Sequence, residues 1–65
     1  MKTADLLREL ENQGWRLDRT RGSHRQFKHR LAKRTLTVPV HGKDIPDVLA
    51  KLILKQARAA LDRGR

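Results

Sequence analysis

Residues 15–29 read WRLDRTRGSHRQFKH, and the way this stretch turns on its glycine decides the fold. Ahead of Gly22 the segment WRLDRT alternates apolar and polar over its first residues, the period of a half-buried strand. RGS at 21–23 supplies a turn, and HRQFKH at 24–29 supplies a second strand. Downstream, RLAKR reads as a connection and TLTVPV, rich in branched residues, as a third strand. Pro39 cannot donate to a ladder, so this strand ends there or runs along a sheet edge.

Helices flank this sheet. TADLLRELENQG at 3–14 is amphipathic, with Thr3 placed to cap its start, Leu6, Leu7 and Leu10 in one stripe, and Gly14 suited to the left-handed residue that ends a helix. Trp15 follows where an apolar contact closes such a cap. HGKDIPD at 41–47 is punctuation. From about Pro46, the residues Val48, Leu49, Leu52, Ile53, Ala57, Ala60 and Leu61 recur at helical spacing, with Lys51, Lys55 and Arg58 together on the exposed side. The predicted fold is therefore α+β, in the order α-β-β-β-α, with two helices on one face of a three-stranded antiparallel sheet.

With 65 residues the chain suits a single domain, 1–65, near the small end of what folds without staples, since such chains bury only about 60% of their unfolded surface. It has no cysteine, which removes disulfides and thiolate zinc sites from consideration and agrees with a reducing cytoplasm. Aliphatic packing must supply the core, and the available side chains include Leu6, Leu10, Trp15, Leu17, Phe27, Leu36, Val38, Ile45, Val48, Leu52 and Ile53. The first residues lack the apolar run of a signal peptide, and no stretch approaches the roughly 20 apolar residues of a membrane span. The reading is a soluble cytoplasmic protein with no membrane partner.

Charge narrows the partners. Sixteen Lys and Arg stand against seven Asp and Glu, a formal +9. Eight of the sixteen lie between residues 16 and 34, where Asp18 is the only acid. Such a field draws polyanions: nucleic acid first, an acidic protein second, anionic lipid third. Strand parity says what that field faces. If Phe27 points to the helices, then His24, Gln26 and Lys28 point away, and Leu36, Val38 and Val40 go inward while Thr35 and Thr37 go outward. The outer face becomes a polar, basic platform without the exposed aromatic pair on which single-stranded bases stack.

His24 stands where the turn enters the second strand, beside a glycine that lets backbone approach a ligand and arginines that hold phosphate oxygens. An imidazole that titrates near neutrality beside phosphate-binding groups is what acid-base cleavage of RNA requires. Position alone does not establish this, because a surface histidine in a basic loop is commonly inert. His29 falls on the Phe27 side and reads as a structural histidine; His41, in the loop after VPV, is within reach of the outer face. The three histidines have no helical i, i+4 pair and no clustered carboxylates, so no metal site and no cofactor are indicated. No glycine-rich phosphate loop, acyl-transfer triad or carboxylate pair stands out.

ELENQGW, then LDRTRGSHRQFKH, then RTLTVPVHGKDIP and ILKQA together resemble the HicA toxin family of bacterial toxin-antitoxin systems, in order and at family spacing from Leu6 to about Ala57. The resemblance implies a small endoribonuclease that cuts messenger RNA, a fold similar to the double-stranded-RNA-binding domain, catalysis by the histidine of GSH, here His24, and neutralisation by an acidic HicB-like antitoxin that covers it. On that footing Arg25 and Lys28 are expected near the scissile phosphate, with Arg21, Gly22, Ser23, Lys33 and Arg34 as further RNA contacts. The second proton-transfer group stays open between Lys28 and His41. The chain departs from the family after ILKQA, continuing RAALDRGR, so the last helix is expected to run longer, with Arg58, Arg63 and Arg65 either RNA contacts or tail. The competing reading is a non-catalytic RNA-binding module of the same fold, which the acidic DIPDVLAKL at the start of the last helix disfavours; an inert partner-binding protein is a third.

Overall fold

A computed structural model of the chain describes residues 1–61. It contains α1 (Thr3–Asn12), β1 (Arg16–Arg21), β2 (His24–Lys28), β3 (Leu36–Pro39) and α2 (Asp47–Leu61). The strands form one antiparallel sheet in the order β1-β2-β3, so β2 is central and both neighbours are edges. Pro39 thus lies on an edge strand, where its missing N–H does least harm. α2 continues one turn past Ala57, as the sequence suggests; Arg63 and Arg65 lie outside the described residues.

Two glycines set the local geometry. Arg21 pairs with His24 across the two-residue link Gly22–Ser23. Gly22 has φ +59° and, among the described residues, no non-glycine residue has a positive φ, the pattern of a hairpin turn with glycine at its first central position. At the end of α1, Gly14 has φ +99°, its N–H donates to Glu11 O at 2.9 Å and the Trp15 N–H donates to Leu10 O at 3.0 Å. This is the Schellman arrangement, and the apolar contact that accompanies it comes from Leu10 and Trp15, both without exposed surface.

The core joins Leu6 and Leu10 of α1, Trp15, Phe27 of β2, Leu36 and Val38 of β3, Ile45, and Ala50, Ile53 and Ala57 of α2. Both helices therefore cover the same face of the sheet. Each large side chain fully buried contributes about 1.5–3 kcal/mol, a large share of the net stability of about 3–10 kcal/mol for a chain this size.

Three expected core residues are outside it. Leu17, Val48 and Leu52 are 54%, 82% and 49% exposed. Leu17 pairs with Phe27, but the helices pack on each other and on β3 rather than over the β1 edge, leaving Leu17 uncovered. α2 is apolar on more than one side; it docks through Ala50, Ile53 and Ala57, where two small side chains allow close approach, and Val48 and Leu52 turn away. Thr3 is also not the cap. Lys2 occupies the cap position, and Thr3 is buried inside the first turn, its N–H donating to Lys43 O at 2.8 Å and its hydroxyl to Gly42 O at 2.9 Å. A tertiary contact satisfies the start of the helix in place of a local one.

The same corner is tied by a bridge between Lys2 and Asp44 and by Ile45 N–H to Met1 O at 2.9 Å. The terminal amino group donates to Asp47 Oδ1, and that hydrogen bond, with the charge behind it, holds the Asp47 carboxyl below its ordinary range.

Candidate active site on the open face of the sheet

With both helices on one face, no described element covers the other. Which side chains stand there is set by the ladder. In β2 the buried residue is Phe27, so His24, Gln26 and Lys28 belong to the open face. Gln26 pairs with Thr37 and His24 with Pro39, which puts these β3 residues on the same side.

β1 does not follow simple alternation. Leu17 pairs with Phe27, yet the next pairs are Arg19 with Gln26, Thr20 with Arg25 and Arg21 with His24, the register shifting at Asp18. Counting by twos from Leu17 places Arg19 and Arg21 toward the helices; the bulge reverses them onto the open face. Arg21 becomes the direct cross-strand neighbour of His24. The bulged Asp18 reaches the cations around it, with Arg19 Nε 3.3 Å from Oδ2 and Lys28 Nζ 3.6 Å from Oδ1. Arg16 is used elsewhere, donating to Glu11 O at 3.4 Å and Trp15 O at 3.2 Å at the end of α1. Arg19 is thus the functional candidate that sequence reading missed, because nothing apolar follows Leu17 in β1 to report the change of face.

His24 is exposed, and His41 stands beside it: the ring centres are 6.4 Å apart and the planes nearly perpendicular at 83°. His29 belongs elsewhere. Its Nε2 lies 2.8 Å from Gln13 O, its Nδ1 accepts the Leu31 N–H at 3.0 Å, and its ring meets Trp15 edge-on at 5.3 Å. Those two bonds assign Nε2–H as the donor and fix the ring as a strut between β2 and α1.

The remaining candidates separate. Gly22 and Ser23 form the turn that presents His24. Arg25, expected near the scissile phosphate, pairs with Val38 and is on the helix side rather than the open face, lining a cleft of about 490 Å³ with Lys2, Thr3, Leu7 and Lys43. Lys28 shares the open face but lies four residues along β2, about 13 Å by strand rise. Lys33 and Arg34, both exposed, sit in the β2–β3 connection at the opposite end of the sheet. Arg34 lines a separate cleft there with Trp15, Leu36 and Gln56.

Residues 3–59 match the family model described as the HicA toxin of bacterial toxin-antitoxin systems. The chain belongs to the HicA toxin family. A search of curated proteins found no match. Membership makes the chain the toxin of a bacterial toxin-antitoxin system, and an antitoxin is the partner such a HicA toxin implies. Among the described residues no helix is long and apolar enough to cross a membrane, and no group of three or more His, Cys, Asp or Glu is placed to hold a metal ion. What this HicA chain does offer is an exposed imidazole pair at one end of a basic surface, with Arg21 the cross-strand neighbour of His24. That arrangement is competent for proton transfer at a phosphodiester.

Proposed function

We propose that this HicA toxin is an endoribonuclease that cuts messenger RNA through proton transfer by His24, and that an acidic antitoxin of the HicB kind neutralises it by covering the His24 face. The observation that carries this reading is the placement of an exposed His24 directly across from Arg21 on the basic open face, with Arg19 next along β1. In the reaction, the ribose 2′-hydroxyl loses a proton and attacks the neighbouring phosphorus. The bond to the 5′-oxygen breaks, and a 2′,3′-cyclic phosphate and a 5′-hydroxyl remain. The Arg21 guanidinium offsets the charge that builds on the phosphoryl oxygens. Lys28 and Arg19 hold backbone phosphates further along the strand, and Lys33 and Arg34 extend the track at its far end. None of these steps calls for a cofactor.

Purified protein incubated with a long RNA in excess EDTA, followed on a denaturing gel with analysis of the product ends, tests the reading. Cyclic phosphate ends support it. Intact RNA bound with steep salt dependence overturns it in favour of an RNA-binding module of the same fold.

Asp18 makes the electrostatic part separately measurable. It holds two cations of the open face, Arg19 and Lys28, and such exposed pairs add little stability, about 0–1 kcal/mol. Asp18→Asn is expected to tighten RNA binding at low salt and to steepen the slope of log K against log[salt] by about 0.7 for each cation that gains a phosphate. Titrations at several salt concentrations check this; an unchanged slope would remove Arg19 and Lys28 from the RNA track.

A further inference from the structure

The nuclease reading leaves one proton without an owner. One group must take the proton of the 2′-hydroxyl and another must give one to the departing 5′-oxygen. Lys28 is distant from His24 along the strand and is engaged with Asp18. His41 is the nearer group, its ring centre 6.4 Å from that of His24. At that spacing the rings do not hydrogen-bond to each other, and the gap accommodates oxygens of one phosphodiester, each about 2.8 Å from a ring nitrogen.

His41 is also held in place by non-local contacts. Val40 N–H donates to Ser23 O at 2.6 Å, which ties the residue before His41 to the residue before His24. On the other side, Gly42 has φ +129°, a conformation open to glycine, and its carbonyl accepts the buried Thr3 hydroxyl while Lys43 O accepts the Thr3 N–H. The start of α1 therefore clamps a loop whose one exposed imidazole faces the other across the end of the sheet. A loop required only to connect β3 to α2 has no need of that geometry.

We infer that His41 is the second proton-transfer group of the site, so that cleavage uses the His24–His41 pair on one phosphodiester. One ring, unprotonated, takes the 2′-hydroxyl proton as the 2′-oxygen bonds to phosphorus. The other, protonated, gives its proton to the 5′-oxygen as the P–O5′ bond breaks. The two rings end with their protonation states exchanged, and water restores them. The charged groups on the elements meeting there are Arg16, Asp18, Arg19, Arg21, Arg25 and Lys28 on the strands and Lys43 and Asp44 on the loop.

This inference rests on the nuclease reading, and the test separates the two. Wild type, His24→Ala and His41→Ala are assayed on an RNA with one defined cleavage site and on the same RNA with sulfur in place of the bridging 5′-oxygen, a leaving group that departs without being protonated. On the oxygen substrate His41→Ala is expected to slow cleavage by about 10²- to 10⁴-fold, with thermal stability and RNA affinity retained. On the sulfur substrate one variant, and only one, recovers its rate: the ring it lacks is the acid, and the other is the base. His41→Ala that cleaves at the wild-type rate overturns the inference and leaves the nuclease reading intact, as does a loss in both variants that sulfur leaves unrepaired. Wild-type protein that cuts neither RNA overturns both.

Discussion

His24→Ala is expected to abolish RNA cleavage and growth arrest while leaving the melting temperature and the RNA affinity of the protein nearly unchanged. The separation follows from where the ring stands. His24 is exposed at the first position of β2, outside the core cluster, so truncation removes no packed surface and falls in the class of surface changes worth at most about 0.5 kcal/mol. In the proposed reading, RNA affinity comes from phosphate contacts by Arg19, Arg21, Lys28 and the cations of the β2–β3 connection, which the substitution leaves in place. Proton transfer has no such redundancy, and its loss costs about 10²-fold or more in rate. Three measurements on one sample decide it: a thermal melt, an RNA titration and a cleavage time course, with growth after induction alongside. A His24→Ala protein that still cuts RNA would end the role assigned to this residue.

Much of this arrangement is legible in the sequence because it is local. Gly22 within RGSH announces the hairpin, Gly14 before Trp15 announces the end of α1, and Phe27 fixes the face of His24 by counting along one strand. The same count, applied to Arg25, already sends it to the helix side with Val38, where the structure has it. What the sequence hides is non-local. The bulge at Asp18, which brings Arg19 and Arg21 round to His24, depends on pairing with β2, and no apolar residue beyond Leu17 marks the change. Thr3 looks like a helix cap until the 42–43 carbonyls arrive from the far end of the chain. Val48 and Leu52 fit the helical period as well as Ile53 does, and only the docking of Ala50 and Ala57 chooses between them. The approach of His41 to His24 likewise depends on non-local contacts, Val40 N–H to Ser23 O and Thr3 to the Gly42 and Lys43 carbonyls, so spacing alone left it open. Lys33 and Arg34 are close to the site in sequence and remote in space because β2 carries the chain to the opposite end of the sheet.

The largest loss of stability is expected at Gly14, a residue far from the proposed chemistry. Gly14→Ala meets two separate penalties. At φ +99° an L-residue is in a disfavoured left-handed conformation, costing about 1–2 kcal/mol. The added Cβ would also lie 2.6 Å from His29 Nε2, too close for any real contact, so the ring must move. That motion breaks the 2.8 Å bond to Gln13 O and disturbs the 3.0 Å bond from Leu31 N–H, with about 1 kcal/mol at stake in each. A total near 3 kcal/mol is comparable to the whole stability of a marginal domain of this length; at roughly 4–8 °C per kcal/mol, the melting temperature falls by more than about 12 °C. Gly22→Ala is the control, since Gly22 shares the positive φ, at +59°, but a Cβ there meets nothing within 4 Å; it is expected to show the backbone penalty alone. The steric part is isolated by combining Gly14→Ala with His29→Ala, which removes the obstructing ring. If His29 is the strut described above, the double variant is less destabilised than the sum of the two single ones. Strict additivity, or equal losses for Gly14→Ala and Gly22→Ala, would show that the His29 ring does not brace the end of α1 against β2.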